Sequence, residues 1–455
     1  EGRRKGEAVT RQFFGTDGVR GLANRWPMTG EMAMALGRTL THGLRRTQTP
    51  RILIGKDTRR SGYMLETALA AGICSAGGDA LLLGPIPTPA VAFLVKSMRA
   101  DAGVMISASH NAFPDNGIKL FGADGYKFDD EFELSLEHGI LNPSPEAELP
   151  LGADVGRLRR LDEALGRYIV FAKTAFPAGM TLEGLRVAVD CANGAAYKVA
   201  PTALEELGAE VVAVGTSPNG ANINEGVGSL YPENLGAVVR EHDCHVGLCL
   251  DGDADRLIVV DERGESVDGD QLMAINALRM LDEGRLAHKT LVSTVMSNLA
   301  LDRCLEAAGG SVVRTQVGDR YVVGAMRHGG YNLGGEQSGH LIFLDHSTTG
   351  DGLVAGLGFL GALVQSGQTV SELAGVLQPF PQSLVNVPVR EKVPLEQLPA
   401  VQKSIAAAEE QLGADGRVLV RYSGTENKAR VLVEGVDTEL VERLAAEIGD
   451  ALIAS

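Results

Sequence analysis

The amino-acid sequence predicts an α/β protein with three homologous domains, each with a βαβ-type mixed sheet, and a smaller C-terminal α+β domain. Three observations lead to this prediction. Apolar runs of strand length alternate with helical segments, the order of these runs occurs three times, and the C-terminal tail follows another pattern. At 455 residues the chain also exceeds what one hydrophobic core usually organises, so several domains are expected.

Each repeat opens with an apolar run that ends in turn-forming residues and precedes a helical segment. We predict these first strands at residues 51–58, 185–194 and 290–298. A second apolar run follows at residues 79–89, 209–220 and 310–319. The third part reads strand, polar loop, strand, at residues 103–121, 246–261 and 331–344. Such alternation predicts largely parallel sheets with ligand sites beyond the strand ends, so each domain should contribute one loop.

The tail reads as a small α+β domain. It contains strands on both sides of a loop from Arg421 to Arg430, then an amphipathic helix over residues 437–454. We place the four domains at residues 11–160, 161–262, 263–376 and 377–455.

Composition narrows the functional classes. With 44% hydrophobic and 22% charged residues, the chain is an ordinary globular protein, and its formal charge of -16 argues against nucleic-acid binding. The opening residues have no signal-peptide pattern and no run of 18 uncharged apolar residues occurs, so we expect a cytoplasmic protein without a membrane partner. The five scattered cysteines fit reduced, buried thiols.

The first loop contains SASHN, in which Ser109 is followed by His110 and, further on, by Lys119. A hydroxyl, a cation and amide donors suit phosphate, although a solvent-exposed turn would use the same residue types. Acyl transfer is disfavoured because no G-x-S-x-G pattern surrounds Ser109.

The second loop, DGDADR, places Asp251, Asp253 and Asp255 on alternate positions after an apolar strand. Three clustered carboxylates predict a hard cation, and Mg²⁺ is the expected ion. A calcium-binding EF-hand is disfavoured because Arg256 stands where that motif requires glycine. An acidic turn without an ion is the other alternative, but mutual repulsion would make it costly without a counterion.

Two further loops carry polar groups suited to a phosphorylated sugar. GEQSGH offers Glu336 and Ser338 as hydrogen-bonding groups and His340 as a proton-exchanging group. In the tail, arginines bracket small hydroxyl residues and glycine, a pattern suited to a phosphate clamp formed by Arg421, Ser423, Gly424, Thr425 and Arg430. Taken singly, each loop could also be a plain hairpin turn. The G-x-G-x-x-G pattern at 356–361 lies in an apparent helix, which disfavours a nicotinamide cofactor.

A fifth motif, FGTDGVRG with Arg20, stands near the N-terminus. Together with SASHN, DGDADR, GEQSGH and RYSGTE it resembles the α-D-phosphohexomutase family, and the five motifs follow that family's order over residues 14–430. The resemblance implies a heart-shaped enzyme in which one loop from each of four domains meets in a central cleft. It also implies a phosphorylated Ser109 and a Mg²⁺ site formed by Ser109, Asp251, Asp253 and Asp255.

The resemblance assigns roles to the remaining residues. Arg20, His110, Lys119 and Arg256 would steady the transferring phosphoryl group or move its proton. Lys119 would be the general base on one side and His340 on the other. Sugar hydroxyls would be held by Glu336 and Ser338, and the non-reacting phosphate by the clamp in the tail.

Within the family, FGTDGVRG, SASHN and GEQSGH resemble the members that act on glucosamine phosphates. They imply interconversion of glucosamine 6-phosphate and glucosamine 1-phosphate through glucosamine 1,6-bisphosphate, a step that supplies amino-sugar nucleotide and cell-wall precursors. The alternatives are a phosphoglucomutase or phosphomannomutase and, outside catalysis, a phosphosugar- or cation-binding protein. A small phosphosugar is the expected partner, and a homodimer is left open. Ala112, Tyr422 and Asn427 replace the family's loop prolines, which puts loop rigidity in question.

Overall fold

The computed structural model describes residues 12–15, 17–44, 49–143, 149–422 and 427–454. The chain divides into two compact units. The first runs to Met296 and includes Gly310–Gly375, and the second consists of Ser297–Gly309 and the chain from Val376 onward.

The first sheet of the first unit has seven strands. These are β1 Phe14–Gly15, β2 Gly18–Leu22, β3 Arg51–Lys56, β4 Asp79–Pro85, β5 Ala102–Ile106, β6 Asp115–Gly122 and β7 Leu158–Arg160. They are ordered β1-β2-β6-β5-β3-β4-β7. The accompanying helices are α1 Gly30–Leu44, α2 Ser61–Ser75, α3 Thr88–Met98 and α4 Asp130–Leu141. Apolar faces of α1 and α2 pack with the buried side of this sheet in one hydrophobic core.

The elements of the second sheet and its helices are α5 Ala164–Lys173, β8 Arg186–Asp190, α6 Val199–Glu206, β9 Glu210–Val214, α7 Pro232–Glu241, β10 Val246–Leu250, β11 Leu257–Val260 and β12 Ser266–Val267. The strands are ordered β12-β11-β10-β8-β9. The strands before the second loop, β10, and after it, β11, are buried throughout, which fits their continuous apolar sequences.

The next part of the chain contains α8 Gly269–Asp282, β13 Thr290–Thr294, α9 Ala300–Ala307, β14 Ser311–Thr315, α10 Asp319–Gly329, β15 Leu333–Gly335, β16 Leu341–Phe343, α11 Gly352–Ser366 and α12 Val370–Ala374. Its strands form the third sheet, which is ordered β14-β13-β15-β16. Helix α9 belongs to the second unit. The G-x-G-x-x-G pattern lies inside α11, as predicted, and Gly361 lets Pro177 pack closely against that helix.

The three sheets share one plan, which confirms the repeat predicted from the order of apolar runs. In each, the first strand pairs in parallel with the second and the third, and the third pairs with an antiparallel fourth. The fourth strand therefore makes each sheet mixed. The predicted serine, aspartate and GEQSGH loops each join the third strand to the fourth. Sequence patterns did not identify the short edge strands β1, β7 and β12.

Besides α9, the second unit contains β17 Gln382–Pro388, α13 Pro399–Leu412, β18 Gly416–Tyr422, β19 Lys428–Gly435 and α14 Thr438–Ile453. Its strands form an antiparallel sheet of order β17-β19-β18. The predicted hairpin and terminal helix are confirmed, whereas α13 was not predicted. Side chains of α14 and the sheet form the core of this unit. The domain boundaries at 160, 262 and 376 stay a prediction. Within the described residues, no helix combines the length and apolar character that crossing a membrane requires.

Candidate active site

Ser109 lies in the loop after β5, with its side chain directed at the aspartate loop of the second sheet. It is 1% exposed and adopts a left-handed backbone conformation with φ of 53°. Its hydroxyl donates to Asp251 Oδ2 over 2.5 Å, and its Oγ lies 3.3 Å from His110 Nδ1. The structure thus brings together two loops that are 142 residues apart in the sequence.

The three aspartates of DGDADR are buried and offer carboxylate oxygens that all lie within 4.8 Å of one another. One oxygen of Asp253 and one of Asp255 are enclosed and accept no hydrogen bond from a described residue. Buried carboxylate oxygens without donors are the ligands that a hard cation satisfies. The residues present therefore fit the predicted metal site. Its local shape comes from Ala254, which has φ of 58° between two of the aspartates.

Lys119 projects from β6 into this cluster. Its Nζ donates to Asp253 Oδ2 and to Asp255 Oδ2, each over 2.9 Å, and lies 3.3 Å from Asp17 Oδ2. Burial alone would lower the pKa of Lys119, but these carboxylates raise it well above its ordinary value. A lysine from the first sheet therefore supplies positive charge to the triad.

Charge at the triad is unevenly distributed. Burial, with Asp255 and Asp253 nearby, raises the pKa of Asp251 well above its ordinary range. For Asp255, burial would also raise the pKa, but Lys119 and His340 hold it well below that range. Of these two carboxylates, Asp251 thus holds a proton more readily than Asp255. Its second oxygen, Oδ1, accepts the backbone N–H of Arg256 over 3.2 Å.

A ring of charged residues extends from Lys119 to His340. Asp17 contacts both Lys119 and Lys127, and Lys127 Nζ donates to Asp319 Oδ2 over 2.5 Å. His340 closes the ring, with Nε2 3.7 Å from Asp319 Oδ2 and Nδ1 3.6 Å from Asp255 Oδ1. This ring of six residues alternates in sign when His340 is protonated. Sequence reasoning identified Lys119, His340 and Asp255 but missed the other three.

His340 and His110 have opposite pKa shifts. Burial alone would lower the pKa of His340, but Asp255, Asp319 and Glu336 raise it above its ordinary value. Burial, together with the positive charges of Arg256 and Arg20, lowers the pKa of His110 to about 4. Near neutral pH, His110 is therefore uncharged and able to accept a proton from the serine hydroxyl.

The two predicted arginines contact the serine loop and the aspartate loop. Arg20 Nη2 donates to Asp17 Oδ2 over 2.5 Å, and its Nη1 lies 3.3 Å from Asn111 Oδ1. Arg256 Nε lies 4.0 Å from Asp255 Oδ1, and the side chain remains 22% exposed. Both guanidinium groups are thus near Ser109 without being fully enclosed.

The GEQSGH loop presents Glu336 at the end of β15. Glu336 Oε1 accepts the backbone N–H of Gly318 over 3.0 Å, and its other oxygen lies 3.5 Å from Ser338 Oγ. Glu336 is half-buried and Ser338 is exposed. The loop is fixed at its turn, where Gly339 has φ of 89° and its carbonyl accepts from Leu257 N. Its two polar side chains therefore remain oriented while still accessible.

In the second unit, Arg421 and Arg430 lie directly opposite each other on β18 and β19. Burial lowers the pKa of Arg421, and so does the charge of Arg430. Like charges opposite each other across a strand pair are unfavourable, and an anion relieves that repulsion. The predicted clamp residues Ser423, Gly424 and Thr425 lie outside the described residues. Tyr422, which replaces a proline, donates its hydroxyl to Val393 O over 2.6 Å and so anchors the end of β18.

Models of four phosphoglucomutase/phosphomannomutase domains match this chain in order. Alpha/beta/alpha domains I, II and III match residues 11–146, 167–264 and 268–380, and the C-terminal domain matches residues 384–451. A phosphoglucosamine mutase of Syntrophotalea carbinolica is 57% identical over 98% of each chain. One from Myxococcus xanthus is 56% identical over 98% of this chain and 97% of its own. A solved phosphoglucomutase/phosphomannomutase family protein from Burkholderia thailandensis superposes with a TM-score of 0.80 at 25% identity, covering 96% and 97% of the two chains.

Proposed function

Because the chain belongs to the phosphoglucomutase/phosphomannomutase family, we propose that it interconverts glucosamine 6-phosphate and glucosamine 1-phosphate. The relatives named phosphoglucosamine mutase, 57% and 56% identical over nearly the whole chain, support this substrate. The observation that carries the chemistry is the hydroxyl of Ser109, enclosed and held 2.5 Å from a carboxylate of the aspartate triad.

In the first half of the proposed reaction, a sugar hydroxyl attacks the phosphorus of phospho-Ser109. The serine Oγ–P bond breaks as the new sugar O–P bond forms, which gives glucosamine 1,6-bisphosphate. In the second half, the reoriented bisphosphate returns its other phosphoryl group to Ser109. Arg20 and Arg256 steady the oxygens of the transferring group. In the second half, the Ser109 Oγ attacks phosphorus as the sugar O–P bond breaks; His110 takes the serine proton, and the released sugar oxygen recovers a proton from Lys119 or His340. The negative charge of the phosphoserine favours the protonated form of His110, which returns this proton when the serine Oγ leaves in the first half.

The attacking hydroxyl loses its proton to Lys119 or to His340, depending on the orientation of the sugar. Both side chains contact Asp255, from opposite ends of the charged ring. Lys119 is protonated while it compensates the triad, so its action as a base requires another cation on those carboxylates. Glu336 and Ser338 hold sugar hydroxyls in both orientations, and Arg421 and Arg430 pair with the phosphate that is not reacting.

Asp251, Asp253, Asp255 and an oxygen of phospho-Ser109 would hold Mg²⁺. When bound there, this ion supplies positive charge to the transferring phosphoryl group and lowers the pKa of Lys119. The enclosed Oδ1 of Asp253, which accepts no hydrogen bond from a described residue, supports this assignment. Glucosamine 1,6-bisphosphate would be both intermediate and activator, since it restores phosphate on Ser109. We place the reaction in the cytoplasm, where its sugar phosphates occur.

The test measures phosphorylation of Ser109 by intact mass and mutase turnover by a coupled assay. The parent protein incubated with a hexose 1,6-bisphosphate should gain the mass of one phosphate on Ser109 and should convert glucosamine 6-phosphate in a coupled assay. Ser109→Ala should remain folded and lose both properties, because the serine lies in a loop outside the hydrophobic cores. A Ser109→Ala variant with near-parental turnover would remove the serine from its role.

The substrate is tested separately from the chemistry. Values of kcat/KM for the 6-phosphates of glucosamine, glucose and mannose should rank glucosamine first. A preference for glucose or mannose would assign the chain to the alternative activity within the same family, and phosphorylation without turnover would favour a binding protein.

A further inference from the structure

The loop that carries Ser109 is held from beneath by a buried arginine, Arg59, which the sequence motifs did not single out. Arg59 follows β3 and is 0% exposed. Its guanidinium donates five hydrogen bonds. The acceptors are Asp57 Oδ2 and the carbonyls of Ser109, Asn111, Ala112 and Asp115, at 2.8, 2.9, 2.7, 2.5 and 3.1 Å.

These contacts use the whole hydrogen-bonding capacity of the side chain, because a guanidinium has five N–H donors. Four of its five partners are carbonyls of the serine loop, and the fifth is a carboxylate on its own strand end. Arg59 therefore has no donor left for a phosphate. In this respect it differs from Arg20 and Arg256, whose guanidinium groups remain partly exposed beside Ser109.

Asp57 extends the same support to the N–H side of the serine. Asp57 Oδ2 also accepts the hydroxyl of Ser107 over 2.7 Å, and Ser107 Oγ in turn accepts the backbone N–H of Ser109 over 2.9 Å. Both backbone polar groups of Ser109 are thus connected to the Asp57–Arg59 pair. Its carbonyl accepts directly from Arg59, and its N–H is connected to Asp57 through the Ser107 hydroxyl. Between these two ties, Ser109 has the left-handed φ of 53° that a serine rarely adopts unless its surroundings impose it.

A second support comes from the neighbouring sheet. Asn224 Nδ2 donates to the carbonyls of Ser109 and Asn111, over 2.9 and 3.0 Å, and these two carbonyls also accept from Arg59. The Asn224 side chain is buried and lies between β9 and α7. The two donors converge on the same peptide oxygens from different sheets, so the loop is fixed relative to the aspartates as well as within its own sheet.

We propose that Arg59 is the positioning residue of the phosphoryl-carrying serine. By drawing the loop carbonyls inward, it holds the Ser109 hydroxyl toward Asp251 and sets the line of phosphoryl transfer. This inference rests on the proposed function for its kinetic consequence, while its structural consequence can be measured without turnover. It also explains how the loop is held although Ala112 replaces a proline, since the Ala112 carbonyl is one of the five acceptors.

The test uses Arg59→Lys, with Arg60→Lys as the matched control, because Arg60 is the adjacent residue and is exposed. Lysine keeps the charge but has only three donors and no planar fork. We expect Arg59→Lys to lower kcat and the rate of Ser109 phosphorylation by about 100-fold while KM stays within about twofold, since small displacements of reacting groups have effects of that order. Arg60→Lys should match the parent. A folded Arg59→Lys variant with parental kcat, or with raised KM alone, would overturn the proposal.

Two further measurements keep the outcome decisive. Amide hydrogen exchange over residues 107–116 should be at least about tenfold faster in Arg59→Lys than in Arg60→Lys, because loop protection depends on these bonds. Unchanged exchange would refute the positioning role even in a protein without mutase activity.

If Arg59→Lys does not fold, Asn224→Ala takes its place. This variant should lower kcat without raising KM, and a parental kcat would count against the proposal. Failure of the proposed function itself would appear in the parent protein, as absent turnover and absent phosphate on Ser109.

Discussion

Replacing Lys119 by methionine removes the cation that compensates the aspartate triad in the absence of a metal. Each 2.9 Å contact with Asp253 or Asp255 corresponds to roughly 6 kcal/mol of Coulomb attraction at an effective dielectric constant of 20. The variant no longer has to bury a charged ammonium group, and this saving in desolvation free energy offsets much of the lost attraction. Breaking a buried charge pair costs about 3–5 kcal/mol in measured cases, and we expect a loss in that range. Methionine keeps most of the apolar stem, so packing contributes little.

The assay is urea unfolding near pH 7 with EDTA, followed by circular dichroism and by fluorescence of Trp26, the single tryptophan of the chain. Lys96→Met is the control, because Lys96 is exposed and its loss should change stability by less than about 0.5 kcal/mol. Millimolar Mg²⁺ should restore much of the stability of Lys119→Met and stabilise the parent less, since the ion would charge the same carboxylates. A variant within about 1 kcal/mol of the parent in EDTA would refute the assigned compensation.

Two further predictions concern a histidine and the phosphate clamp. The pKa of His110, about 4 in the folded state against about 6.5 unfolded, means that stability present above pH 6.5 is lost as pH falls toward 4. Between pH 7 and pH 4.5, His110→Gln should lose roughly 1–3 kcal/mol less unfolding free energy than the parent, measured by urea unfolding at both pH values. An equal loss in variant and parent would contradict the lowered pKa. Arg421→Ala should raise KM about 10- to 100-fold by removing a charge-assisted bond to phosphate, without lowering Tm, since repulsion from Arg430 is relieved. Unchanged KM would argue against the clamp, and Lys403→Ala, an exposed site in the same unit, is the control.

The sequence predicted the three loops of the first unit because each interrupts a clear apolar pattern with an unusual set of polar residues. Ser109, Asp251 and His340 could be singled out in this way. The repeated strand order also predicted that each loop joins a third strand to a fourth. Those signals are local, and local patterns determine strands and turns.

The supporting residues could not be predicted in the same way. Arg59 occurs in an ordinary polar turn after a strand, and its function depends on carbonyls about 50 residues further along. Lys127 and Asp319 are 192 residues apart, and neither stands in a motif. Such residues acquire meaning only when the sheets pack, because a buried charge is defined by its partners. In the sequence, Gly318 and Asp319 indicate only the start of a helix, α10.

The charge balance of the first unit connects the metal to the phosphoserine. Five carboxylates, those of Asp17, Asp251, Asp253, Asp255 and Asp319, face the four cations Arg20, Lys119, Lys127 and Arg256, with His340 between two of the acids. A phosphate on Ser109 adds close to two negative charges, and Mg²⁺ adds two positive ones. Bound together they leave the balance almost unchanged, whereas either alone shifts it by about two charges in a buried site. By linkage, phosphorylation of Ser109 therefore raises the affinity of the site for Mg²⁺, and bound Mg²⁺ stabilises the phosphorylated form of Ser109. The three loops of the first unit thus act as one electrostatic unit, and substitutions within it should not combine additively.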